Sequence, residues 1–215
     1  MKVVTSSREL DYRWAPATAI SGIVGIVAYV LVLATESTDG LTVILSFAFA
    51  FGITVSSIGI FQILGGVNGS PLGLIAAVAN VTAAALLLAM LLVQISVKAV
   101  VPQPDAGLKA VYWGLDVAWD LYVGTGTLLF GLSMFGRRGL GIWFAVPGLL
   151  IGGLLLIFNI ATFPDPPADA GLVDLGPLVG LWYLAVCGRL GVLSVLQERK
   201  NRRATAALVD STGVN

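Results

Sequence analysis

The run Tyr112-Trp113-Gly114-Leu115-Asp116-Val117-Ala118-Trp119-Asp120-Leu121-Tyr122 places two carboxylates four residues apart between aromatic side chains. On a helix that spacing puts Asp116 and Asp120 on one face. Carboxylates in an apolar helix are costly, at roughly 2.5–3.5 kcal/mol each on insertion scales, so such a pair needs a reason to be there. One reason is chemical: crowded carboxylates share a proton or bind a cation that neutralises them. The other is structural. Tyr112, Trp113, Trp119 and Tyr122 form an aromatic belt at the interface, and the aspartates sit near the positive end of their helix or bond a neighbouring one. The structural reading is preferred from the sequence, and both are carried forward. Asn159 and Asp174 fall at similar depth and are the polar groups the pair should meet.

Those residues belong to a very apolar chain. Of 215 residues 57% are hydrophobic and only 11% charged, with a mean hydropathy of +0.94, far below the charge content of about 25% in soluble domains. An all-α integral membrane bundle is the class this implies. Crossing about 30 Å of hydrocarbon takes about 20 residues. Six runs qualify, at about 16–35, 41–64, 71–97, 110–135, 140–163 and 172–196, followed by a short basic tail at 197–215. No charged residue occurs from Gly40 to Val97, and the Gly65-Gly66-Val67-Asn68-Gly69-Ser70-Pro71 cluster divides that stretch by its turn chemistry. The fourth run is the least apolar because it holds Asp116 and Asp120. The first run exceeds the apolar core of a signal peptide and reads as a retained helix.

Basic flanks set the orientation. Lys2, Arg8 and Arg13 precede the first run, Arg137 and Arg138 follow the fourth, and Arg199, Lys200, Arg202 and Arg203 follow the sixth. The alternate side carries Glu36, Asp39, Lys98, Asp105, Lys109, Asp165 and Asp169. Six crossings with both termini in the cytoplasm fit this alternation, in a cell membrane that is expected to be a bacterial cytoplasmic membrane.

The counts also exclude chemistry. There is no histidine, which removes His-based metal and haem ligation and triad catalysis. Cys187 is the single cysteine, so an intrachain disulfide or CxxC redox pair is impossible. The net charge is zero and a basic face for nucleic acid is lacking. No cofactor or metal is expected. Arg199, Lys200, Arg202 and Arg203 are candidates for anionic headgroups, with a bare topology signal preferred. Arg189 is expected to snorkel to the headgroups.

Two GxxxG patterns, Gly148 with Gly152 and Gly176 with Gly180, fall on the fifth and sixth runs and predict a close seam between them. Pro147 and Pro177 are candidate kinks. Leu115-Asp116-Val117-Ala118-Trp119-Asp120, the Gly- and Thr-rich half of that run and Ala161-Thr162-Phe163-Pro164 resemble a broad group of bacterial multi-pass membrane proteins known only as domains of unknown function. The resemblance implies a six-helix bundle over nearly the whole chain and no activity. Function is read as a non-enzymatic scaffold or regulator. The alternative is a small proton- or cation-coupled transporter, and a metal-dependent lipid enzyme ranks third.

Reporter fusions after Ser37, Ala106 and Ala168 are expected to report the outer side, and one after Arg138 the inner side. A cytoplasmic signal from the Ala168 fusion would overturn the six-crossing topology.

Overall fold

A computed structural model describes residues 12–35, 39–100, 106–137 and 139–212. Lys2, Arg8, Glu36, Asp105 and Arg138 of the flanking-charge pattern lie outside the described residues. After a short 3-10 turn at Tyr12–Trp14 come six helices: α1 (Ala15–Ala34), α2 (Gly40–Ile63), α3 (Pro71–Val100), α4 (Ala106–Met134), α5 (Gly141–Thr162) and α6 (Gly176–Thr212). The described residues are helical or in turns, without strands. Five of these helices are long and apolar enough to cross a membrane. The sixth, α4, has the length, but its aspartates and its Tyr, Trp, Gly and Thr residues dilute its apolarity.

Both boundaries of α6 differ from the sequence reading, and α3 and α4 each extend by three or four residues toward each other. The chain after residue 196 is not a short tail, because α6 continues as helix to Thr212 and carries the basic run beyond its apolar part. At its start α6 begins at Gly176, so Pro177 lies in the first turn, where a missing N–H costs nothing, and is not a kink. Asp174 precedes the helix and its Oδ1 accepts from the Gly176 N–H at 2.8 Å. Asp39 starts α2 similarly, accepting from the Thr42 N–H at 3.1 Å. The α2–α3 turn uses Gly65 (φ 108°) and Gly66 (φ 52°), left-handed conformations that favour glycine.

Consecutive helices pack side by side, and α6 returns against α1 and touches α5. The ring is apolar outside, and its largely apolar core also takes in polar side chains. Thr18, Ser46, Ser56, Ser57, Asn80, Asp120, Thr127 and Asn159 are buried, whereas Ile20, Ile44, Phe47, Leu150, Ile157 and Leu181 are exposed. An outer surface of that composition suits lipid and not water. One end of the bundle collects the start of α1, the α2–α3 and α4–α5 turns and the projecting part of α6. Most of the described basic side chains lie there, and Arg189 Nε donates to the Gly139 carbonyl at 3.0 Å. Rather than only reaching for headgroups, Arg189 therefore ties α6 to the α4–α5 turn.

The expected glycine seam between α5 and α6 is not what the four glycines make. Gly148 does face α6: a Cβ there would lie 2.8 Å from the Trp182 ring, which occupies the notch and donates Nε1–H to the Phe144 carbonyl at 2.9 Å. Gly152 faces α4, where a Cβ would lie 2.6 Å from the Gly124 carbonyl oxygen. Gly180 faces Ile26 of α1, and Gly176 faces the Asp174 side chain. The spacing identifies a small-residue face, but it does not say which neighbour fills it. The closest backbone approaches join α4 to α5 through Gly124, Gly131 and Gly152, and α1 to α2 through Gly25 and Gly52.

Gly52→Val and Gly152→Leu are expected to destabilise the protein by about 1–3 kcal/mol or more through overpacking, read as lower melting temperatures in detergent. Gly114→Ala, where a Cβ meets nothing within 4 Å, is expected to melt no lower than wild type. Unchanged melting of both bulky variants would refute these seams.

Candidate functional site: an acidic pocket at one end of the bundle

The pocket is assembled from five parts of the chain. Asp116, Trp119 and Asp120 come from α4, Tyr29 from α1, Leu87 and Met90 from α3, Leu155 from α5, and Pro166, Pro167, Ala168 and Asp174 from the segment between α5 and α6. They enclose about 80 Å³. The i, i+4 spacing brings Asp116 and Asp120 to the same cavity, with Asp116 half-buried and Asp120 buried at 8% exposure.

Asp120 is backed by a polar partner behind the cavity wall. Asn159 of α5, 1% exposed, donates from Nδ2 to Asp120 Oδ2 at 2.9 Å and to the Leu155 carbonyl at 3.0 Å. Its Oδ1 is buried with no hydrogen-bond partner. Asp174 lies across the cavity, its backbone just outside α6, with one oxygen committed to the Gly176 N–H. The structure therefore brings Asp116, Asp120, Asn159 and Asp174 to one end of the bundle. Gly148 and Gly180 take no part in this cavity, whereas Gly176 is in its wall.

Two features of the structural reading of the aspartates change. Asp116 is ten residues beyond the start of α4, too far for the helix N-terminus to stabilise it, since that effect is confined to the first turn. Trp119 is buried in the pocket wall at 8% exposure and is no member of an interfacial belt, whereas Tyr122 is 46% exposed. What remains structural is the Asp120–Asn159 bond between α4 and α5.

Asp116 is also part of a wider vestibule of about 340 Å³ with Gln94, Lys109, Tyr112, Trp113 and Asp169. In the opposite direction Tyr29, Leu87, Trp119 and Gly176 are shared with a small apolar cavity of about 20 Å³ on the bundle axis, also lined by Phe49, Ile53, Val123 and Tyr183. That cavity has room for about one water molecule and no charged wall. Beyond it, Tyr183 and Ser57 are buried and joined at 3.0 Å between their hydroxyl oxygens. The site is thus reached from the acidic end and stops at the bundle core. Sequence reading missed Tyr29, Trp119 as wall, and the covering segment 166–168, because only folding brings α1 and that segment to α4.

Among the described residues no three acidic or cysteine side chains converge closely enough to hold a metal ion. At the basic end Arg202 pairs with Glu198 (Nη2 to Oε1, 2.5 Å), while Arg199, Lys200 and Arg203 are exposed on the projecting part of α6. No protein-family model, curated protein or solved structure matches the chain.

Asn159→Leu should remove the donor that Asp120 depends on and cost about 1–3 kcal/mol, whereas Asp120→Asn keeps an acceptor for Asn159 and should cost less. In a double-mutant cycle, Asp120→Leu with Asn159→Leu should cost less than the sum of the single changes. Additive losses would mean the bond does not form.

Proposed function

We propose that the chain is a non-enzymatic membrane protein of six crossings, with both termini cytoplasmic, that binds a cation from the outer side in the Asp116–Asp120–Asp174 pocket. The observation that carries the reading is Asp120, 8% exposed and hydrogen-bonded to a neutral amide, in a pocket with two further carboxylates and no basic side chain in its wall. Buried charge is retained where it is paired, so three carboxylates facing one pocket favour a positively charged partner. Vestibule carboxylates Asp116 and Asp169, against the one cation Lys109, leave the mouth net negative and favour cations there. The cytoplasmic position of both termini rests on the basic flanks and on the alternating helices, and placement of α4 across the membrane rests on its length and central packing. In this orientation Arg199, Lys200 and Arg203 meet the inner leaflet, where anionic lipid attracts them. A bacterial cytoplasmic membrane is the proposed location.

The closed core beneath the pocket favours binding and regulation over an open conduit, and a carrier would need the Tyr183–Ser57 region to part. A purely structural role is favoured by one observation, the Asp120–Asn159 bond joining α4 to α5. The two readings separate in one measurement. A bound cation at a hundred times its Kd stabilises the fold by about 2.7 kcal/mol, so melting in detergent over a cation panel should rise by several degrees for at least one cation. Asp120→Asn should keep the fold and lose that response. A wild type indifferent to every cation leaves the scaffold.

A further inference from the structure

The chemistry of the pocket wall specifies the cation further, and this step rests on the cation-binding reading above. The charged groups toward which a ligand would turn are all carboxylates, those of Asp116, Asp120 and Asp174, and behind Asp120, outside the lining, lies the orphaned Oδ1 of Asn159, 1% exposed. The Asn159 amide stands directly against Asp120, with Nδ2 2.9 Å from Oδ2. A ligand rich in N–H donors matches that set, because it would pair the carboxylates with charge-assisted hydrogen bonds. A bare metal ion matches it poorly. Hard cations take six or more oxygens at short range, and no three acidic side chains converge to that degree among the described residues.

The rest of the wall is apolar and aromatic. Tyr29, Trp119, Leu87, Met90 and Leu155 surround the carboxylates, and the first three continue into the apolar cavity on the bundle axis. These apolar and aromatic side chains suit the carbon body of an organic cation, which an inorganic ion lacks. The vestibule offers about 340 Å³ between Tyr112, Trp113 and Gln94, more than a bare ion needs. Its volume and the pocket's 80 Å³ set the scale of a small organic molecule with a short apolar body.

We infer that the ligand of this pocket is a small primary organic ammonium, its N–H donors directed at Asp116 and Asp120 and its carbon chain against Tyr29 and Trp119. The covering segment at Pro166, Pro167 and Ala168 would then close over the charged end, where Asp174 completes the acceptor set.

Equilibrium binding to the full-length protein in detergent, by calorimetry with propylammonium, tetramethylammonium, 1-propanol, Na⁺ and Ca²⁺ as probes, tests this. Propylammonium should bind saturably and about tenfold or more tighter than Na⁺ or tetramethylammonium, which lacks N–H donors, and 1-propanol should not bind. Asp120→Asn should weaken propylammonium about thirtyfold or more, as loss of one partner of a buried charge pair does. Asp116→Asn, at the half-buried position, serves if Asp120→Asn does not fold. Trp119→Leu should weaken it about threefold or more. Asp120-dependent binding of Na⁺ or Ca²⁺ without propylammonium would overturn the ammonium assignment and leave the cation site standing. Binding of propylammonium that survives both aspartate changes would overturn its placement here. No binding of any probe would overturn both.

Discussion

Helices in lipid gain little by hiding apolar side chains from their surroundings, so the bundle depends on backbone meeting backbone. That happens where a side chain is missing. At Gly52 a single carbon would strike the Ser21 carbonyl and Gly25, and at Gly152 it would strike the Gly124 carbonyl and the Leu128 N–H. These approaches hold α1 to α2 and α4 to α5 closely enough for dispersion and short polar contacts to add up. The large residues then fill what glycine leaves: the Trp182 indole lies in the notch at Gly148, and the Cys187 side chain in the one at Gly22.

The acidic pocket follows from the same packing. Because α5 lies so close to α4 at Gly152, Asn159, two turns further along α5, comes within hydrogen-bond distance of Asp120. Polar side chains without partners would be ruinous against hydrocarbon, and here most find one inside the protein. Most of them bond locally: Ser46, Thr82, Thr125 and Ser133 return to the carbonyl four residues back. Asp120 with Asn159, and Ser57 with Tyr183, instead reach between helices. The first pair opens onto a cavity with an access route from the acidic end, and the second lies sealed in the core. Function is argued at the first for that reason.

Much of the architecture was legible in the residues. Length and hydropathy gave the helices, with α1, α2 and α5 within a residue of their observed ends, because an apolar run bounded by Gly, Pro or charge has few alternatives. The far end of α6 was not legible, since Arg199 to Arg203 end an apolar run without ending a helix. Arg, Lys and Glu are good helix formers, and i, i+4 pairing of Glu198 with Arg202 supports continuation. Pro177 was misplaced for the related reason that a proline signals a kink or a start depending on where the helix begins.

The spacing of Asp116 and Asp120 alone determined that they share a face, and their cost in lipid determined that this face turns inward. Absence of histidine and the lone cysteine determined which chemistries are closed to the chain. Depth along the runs already marked Asn159 and Asp174 as partners; only the tertiary structure decided that Asn159 bonds Asp120, that Asp174 lies across the pocket, and that Tyr29 joins them from a helix almost ninety residues earlier. It also decided that the four GxxxG glycines each serve a different neighbour. Periodicity along one helix reports a direction, and the partner in that direction depends on how five other helices rotate and pack.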